Sequence, residues 1–202
     1  MAINNLEKQE ETIKNILLYL ISNSKYLTEK RLQKLFYIAE IEFIHRFGQR
    51  MSIVDFINHK HGMYSFHIKH FIDCLDDDGK IKSVFKKTKD DYDAHFYHLN
   101  KKDIVIELDD ERVEILNNIL EKFAYNITEN IIKYAKSTKP FKETPYGEKI
   151  DLDNYVEQCF NESLLKDKVI IKKVGESEKD YIKGDFSKFS SCNKILKYLN
   201  EL

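Results

Sequence analysis

The chain of 202 residues contains no tryptophan, two prolines, three cysteines and six glycines, and its 33 basic residues nearly cancel 34 acidic ones. Each shortage excludes something. With a formal net charge of -1, no global field draws nucleic acid or an anionic membrane, so any basic surface has to be local. Cys74, Cys159 and Cys192 are scattered, odd in number and without a CxxC, which fits a reducing cytoplasm better than a secreted disulfide framework. The glycines stand singly, and neither GxxxxGK[ST] nor GxGxxG is present to cradle a phosphate. The longest apolar run, Ile16 to Ile21, falls far short of the roughly 20 residues that span a bilayer. Acids and amides crowd the start of the chain, where a signal peptide would be apolar. A soluble, cytoplasmic protein without membrane attachment is expected.

What is present is a folded composition, 42% hydrophobic and 12% aromatic, at a length that supports one core with or without a small appendage. The densest stretch is LTEKRLQKLFYIAEIEFIHRFG, Leu27 to Gly48. Leu32, Leu35, Phe36, Ala39, Phe43 and Phe47 follow one helical face, and Ile38, Ile41 and Ile44 add a second stripe. A helix apolar on so many sides is wrapped by neighbours. Thr28 supplies its N-cap, with Arg31 in place of a capping-box acid, and Gly48 its left-handed C-cap.

Upstream, Ile13, Ile16, Leu17, Leu20 and Ile21 mark an earlier helix that ends near Ser22 to Tyr26. Downstream, MSIVDFIN reads as a short helix, and Ser65 caps another that carries Ile68, Phe71, Ile72 and Leu75 until Asp76 to Gly79 stops it. KIKSVFKK and AHFYHL then form a β-hairpin with a long loop. Asp109 or Asp110 opens a helix with Val113, Leu116, Leu120 and Phe123, and ENIIKYA gives another. Both prolines, Pro140 and Pro145, fall in a connector whose order is left open. A short helix follows Asp153, then a strand at VIIKKV, a turn at GESEKD and a closing helix at NKILKYLNEL. The expected fold is α+β and mainly α-helical, with a helical core, a small hairpin near 80–99 in winged-helix-like order, and a short C-terminal β/α appendage. The domain would cover 1–155, and the extension, 156–202, would pack on the same core.

Chemistry has few footholds. His67 and His70 sit one turn apart on a predicted helix with Asp73 nearby, and His59 and His61 flank a lysine, but no HExxH or cysteine partner completes a zinc site. His95 and His98, an odd number of residues apart on a strand, face opposite ways. Asp76, Asp77 and Asp78 lack the alternating spacing of a calcium loop. No nucleophile elbow marks an activated serine. No catalysis, metal or cofactor is expected. Nucleic-acid binding has a more physical case in Lys80, Lys82, Lys86, Lys87 and Lys89 on the would-be wing. Against it, Asp90, Asp91 and Asp93 follow at once, and the preceding helix has no arginine to grip a guanine.

The segment from Leu27 to Ile81 resembles the Panacea domain, the SocA-like antitoxin family. Thr28, Leu32, Gln33, Lys34, Leu35, Tyr37 and Ala39 match its Thr-x-x-x-Leu-Gln-Lys-Leu helix, and a glycine-centred turn, a helix and a hairpin follow in the family's order. STKPFKETPYGEKI is similar to the family's distal segment through Pro140, Gly147 and Ile150. The chain departs from the pattern at Met63, where proline is common, and at Phe141, where tryptophan is usual. The likeness covers roughly Ile13 to Tyr155. It implies a mainly helical antitoxin without catalysis that binds a co-encoded protein toxin, often from a prophage or mobile element, with delivery of a partner to a protease as a variant. Exposed aromatics make the best anchors for such a partner. Met63, Tyr64 and Phe66 at the turn, with Phe141 and Tyr146 on the proline segment, are the expected contacts. The competing reading is a winged-helix-like DNA-binding regulator acting through Lys80 to Lys89.

Overall fold

The structure is a computed structural model that describes residues 2–24, 27–87, 93–100 and 104–164. Two compact units are present, Met1–Cys159 and Phe160–Leu202. The strand, turn and helix expected at 169–202 lie outside the described residues.

The first unit is built on two helices, α1 (Ala2–Asn23) and α2 (Glu29–Phe47). On α2 every residue from Leu32 to Ile41 is buried, and Phe43 and Ile44 after them. Its apolar stripes meet α1, α4 (Asp110–Phe123) and α5 (Thr128–Ser137) on different sides, so the expectation of a wrapped helix holds. Each fully buried Leu, Ile or Phe contributes about 1.5–3 kcal/mol by leaving water, which makes α2 the largest single source of core burial. The ends are fixed as expected: Thr28 Oγ1 accepts from Arg31 N, and Gly48 takes a left-handed φ of 65° while its N–H donates to Ile44 O.

Just beyond α2 the sequence reading needs a correction. MSIVDFIN does not form a helix: Phe56–His59 is strand β1, hairpinned to β2 (Gly62–Tyr64) through Lys60 and His61. The stretch is too short to classify by period, and its backbone pairs on one side with the neighbouring β2. Strand β5 (Lys149–Ile150) pairs with the other edge of β1, Phe56 opposite Ile150, giving the order β2-β1-β5. The proline segment, left open above, is ordered: Pro140 sits in the first turn of α6 (Lys139–Glu143), where its missing N–H costs no helical bond, and the chain then enters β5.

Helix α3 (Phe66–Asp77) starts at Ser65 as expected, buries Ile68, Phe71, Ile72 and Leu75, and leads into the hairpin β3 (Ile81–Lys87) and β4 (Asp93–Leu99). Tyr97 N donates to Leu27 O at 3.0 Å, which ties the hairpin to the entrance of α2. Asp109 caps α4, with its carboxylate accepting from Arg112 N. Residues 152–164 are helical, longer than the short helix expected there. The architecture is α+β and mainly helical, with small antiparallel sheets.

Candidate partner interface

The polar residues of α2 divide the molecule into a fixed interior and an exposed strip. Gln33, Lys34, Tyr37 and Glu40 are all buried. Gln33 pairs with Ser65 in both directions, Nε2 donating to Ser65 O at 3.1 Å and Oε1 accepting from Ser65 N at 3.0 Å. Lys34 Nζ donates to Met63 O at 2.8 Å, and burial, with Lys30 and Lys136 nearby, lowers its pKa to about 8. The Tyr37 hydroxyl shares a 2.8 Å bond with Thr138 Oγ1, and its ring meets Phe56 edge-on. Glu40 accepts from Arg50 Nε at 2.7 Å, from Met51 N at 2.9 Å, and from Ser52 N and Oγ. Burial pushes its carboxyl up, while Arg50 and Ser52 pull it back. Gln33 and Lys34 of the Leu-Gln-Lys-Leu motif hold β2 and the start of α3, while Tyr37 and Glu40 beyond it hold the start of α6 and the 50–54 loop against the same helix.

Two of these anchoring residues, Glu40 and Arg50, were not singled out in the sequence. A signal was available: Gln33, Tyr37 and Glu40 recur on one face of a helix that is otherwise apolar all round. Arg31 acts similarly, its guanidinium donating to Asn126 O and Phe123 O at the end of α4.

Outside this frame lies a strip of rings. His59 is 6.2 Å from His61 and 6.0 Å from Tyr64, and Tyr64 meets Phe66 edge-to-face at 5.2 Å. Strand alternation produces it. Phe56, Asn58 and Met63 share the inner face of the hairpin, whereas Ile57, His59 and Tyr64 share the outer one.

The expected contact residues separate accordingly. Phe66 is 68% exposed and Tyr146 69%, and Tyr64 is half-buried within the strip. Met63 is fully buried and cannot be an exposed anchor, because its position on β2 points it into the core while its carbonyl receives Lys34. Phe141 is partly buried and packs against the core. The two halves of the expected surface lie at opposite edges of one small sheet, Met63 and Tyr64 on β2 with Phe66 just beyond it, and Tyr146 in the turn before β5.

The lysine run is not gathered. Lys80 is half-buried before β3, alternation puts Lys82 and Lys86 on the face opposite Lys87, and Lys89 lies outside the described residues. Among the described residues no three His, Cys, Asp or Glu side chains are placed to hold a metal ion. His67 Nδ1 accepts from Asp55 N, and the His70 ring lies 3.7 Å from Cys74 Sγ. A cavity of about 230 Å³, lined by Asn23, Arg31, Leu35, Phe123 and Tyr125 among others, is smaller than the roughly 300–1,000 Å³ of small-molecule sites. Among the described residues no helix is long and apolar enough to cross a membrane.

A mainly helical α+β domain, with one buried polar-striped helix bracing a small sheet, is the class this fold defines. The chain belongs to the family described as antitoxin SocA-like, Panacea domain, whose model matches residues 32–142. That match starts within α2 and ends in α6, a narrower span than Ile13 to Tyr155, and it includes the whole exposed strip. No curated protein and no solved structure matches the chain. Family membership supports an antitoxin role.

Proposed function

We propose that this chain is an antitoxin that neutralises a co-encoded toxin by binding it directly, as a cytoplasmic, non-catalytic partner carried on a prophage or other mobile element. The observation that carries the reading is the family match over 32–142. The strip supports it physically. Phe66 offers a large exposed ring with few rotors, and Tyr64, braced by Phe66 and His59, offers a second that is already ordered. The backbone beneath is held by Gln33 and Lys34, so little ordering entropy opposes docking.

Co-expression tests the reading. The neighbouring reading frame, induced alone, is expected to stop growth, and this chain is expected to restore colonies and co-purify in a fixed ratio. A harmless neighbour, or a lethal one that this chain fails to counter, contradicts it.

A further inference from the structure

The β1–β2 turn gathers basic groups from three elements. Lys30 and Lys34 come from α2, Lys60 and His61 from the turn itself, and Lys136 from α5. Their convergence is read at Gly62, where a Cβ would stand 3.3 Å from Lys136 Cε and 3.6 Å from Lys34 Cε. Gly62 also has a φ of 92°, a backbone conformation that disfavours any other residue there. Among the described residues Lys30, Lys60 and Lys136 enter no ion pair, and the acid that acts on Lys34 is Glu29, whose Oε2 lies 3.5 Å from the Tyr97 hydroxyl. Desolvation lowers the His61 imidazole below its ordinary value, and the nearby Lys30, Lys60, His59 and Lys34 lower it further.

The strip has a second, opposite end. Past Phe66, the exposed face of α3 carries Asp73, which pairs with Lys69, and then exposed Asp76 and Asp77. A polyphosphate lying along the rings would meet lysines at one end and carboxylates at the other. A folded protein surface can match both.

We propose that the β1–β2 turn and the adjoining rings bind an acidic stretch of a partner protein, its carboxylates against Lys30, Lys60 and Lys136 and an apolar side chain against Tyr64 and Phe66. This rests on the reading of the chain as a protein-binding antitoxin and names the chemistry that its partner must present. Carboxylates would pair with lysines at the turn that enter no ion pair among the described residues, and the rings would supply the apolar contact that fixes position.

Two arms test it with the full chain. In the first, random short peptides displayed on phage are selected on the immobilised protein. Enriched sequences are expected to be acidic with one aromatic or leucine anchor, and their synthetic forms are expected to bind at least about tenfold more weakly to Lys30→Glu/Lys60→Glu and to Phe66→Ser. Lys82→Glu/Lys86→Glu, on exposed β3 positions, serves as a control that retains binding. Circular dichroism and an unfolding curve establish that each variant is folded, which exposed positions favour. In the second arm the same variants are co-expressed with the neighbouring reading frame, and the two turn and ring variants are expected to lose rescue. Absence of enrichment, enrichment without acidic bias, or binding indifferent to these substitutions overturns the proposal. So does a single-stranded oligonucleotide that binds the wild type more tightly than the peptides and is lost in the same variants. A harmless neighbour in the second arm tells against the antitoxin reading, while the peptide arm still decides the surface.

Discussion

Helices α2 and α3 carry similar numbers of polar residues for their length and use them in opposite ways. On α2 four polar side chains are buried and each has a partner in another segment: Gln33 at Ser65, Lys34 at Met63, Tyr37 at Thr138, Glu40 at Arg50 and Ser52. On α3 one apolar stripe is buried and the opposite side is left to water, with Phe66, His67, His70 and Asp73 exposed. A buried polar group without a bond is costly, so α2 can keep its polar stripe only where distant backbone is brought to it. The exposed groups of α3 and the turn carry no such obligation and are available for a partner.

This contrast can be broken most severely at Glu40. Glu40→Ala leaves Arg50 Nε and the Met51 and Ser52 amides facing an empty site, and a loss of about 3–5 kcal/mol in unfolding free energy is expected by chemical denaturation. A loss under about 1 kcal/mol would mean that the 50–54 loop relaxes and finds water instead.

Lys34 sharpens the comparison through pH. Its folded pKa of about 8 lies below the ordinary 10.5, so the unfolded chain binds the extra proton between those values. Stability should therefore rise as pH increases from about 8 toward 10, by at most about 3 kcal/mol if the whole shift is expressed. Above pH 10 the gain is opposed. Tyr37 and Tyr97 have raised folded pKa values, so they keep protons that the unfolded chain has released, and stability falls again. Lys34→Met should flatten the rise between pH 8 and 10 and leave the alkaline fall in place.

A smaller effect is expected at Gln33. Gln33→Leu removes both bonds to the Ser65 backbone and should cost about 1–3 kcal/mol. Smallest of all on stability is Phe66→Ser, expected within about 0.5 kcal/mol of wild type because the ring is mostly in water. Its effect belongs to binding. Should Phe66→Ser unfold the chain as readily as Gln33→Leu, the division between frame and strip is wrong.

What the sequence revealed follows the same division. Local chemistry was legible: the caps at Thr28, Gly48, Ser65 and Asp109, the stripe of α3 and the hairpin of β3 and β4 are all where residue types and spacing put them. Non-local pairing was not. Strand β1 pairs both with nearby β2 and with Lys149 and Ile150 far along the chain, and the second pairing, which hid β5, is not local. Tyr64 and Phe66 were found as aromatics near a turn, but Met63 was placed beside them because only β2 pairing fixes which side chains point inward. The cations at the turn were invisible as a group, since Lys30, Lys60 and Lys136 become neighbours only in the fold.

Hydrogen–deuterium exchange on the chain alone and in its complex with the neighbouring gene product tests the central claim most directly. The account predicts new protection over 59–66, with 32–41 of α2 protected equally in both states because that helix is already buried. Protection gained elsewhere while 59–66 exchanges unchanged would contradict it.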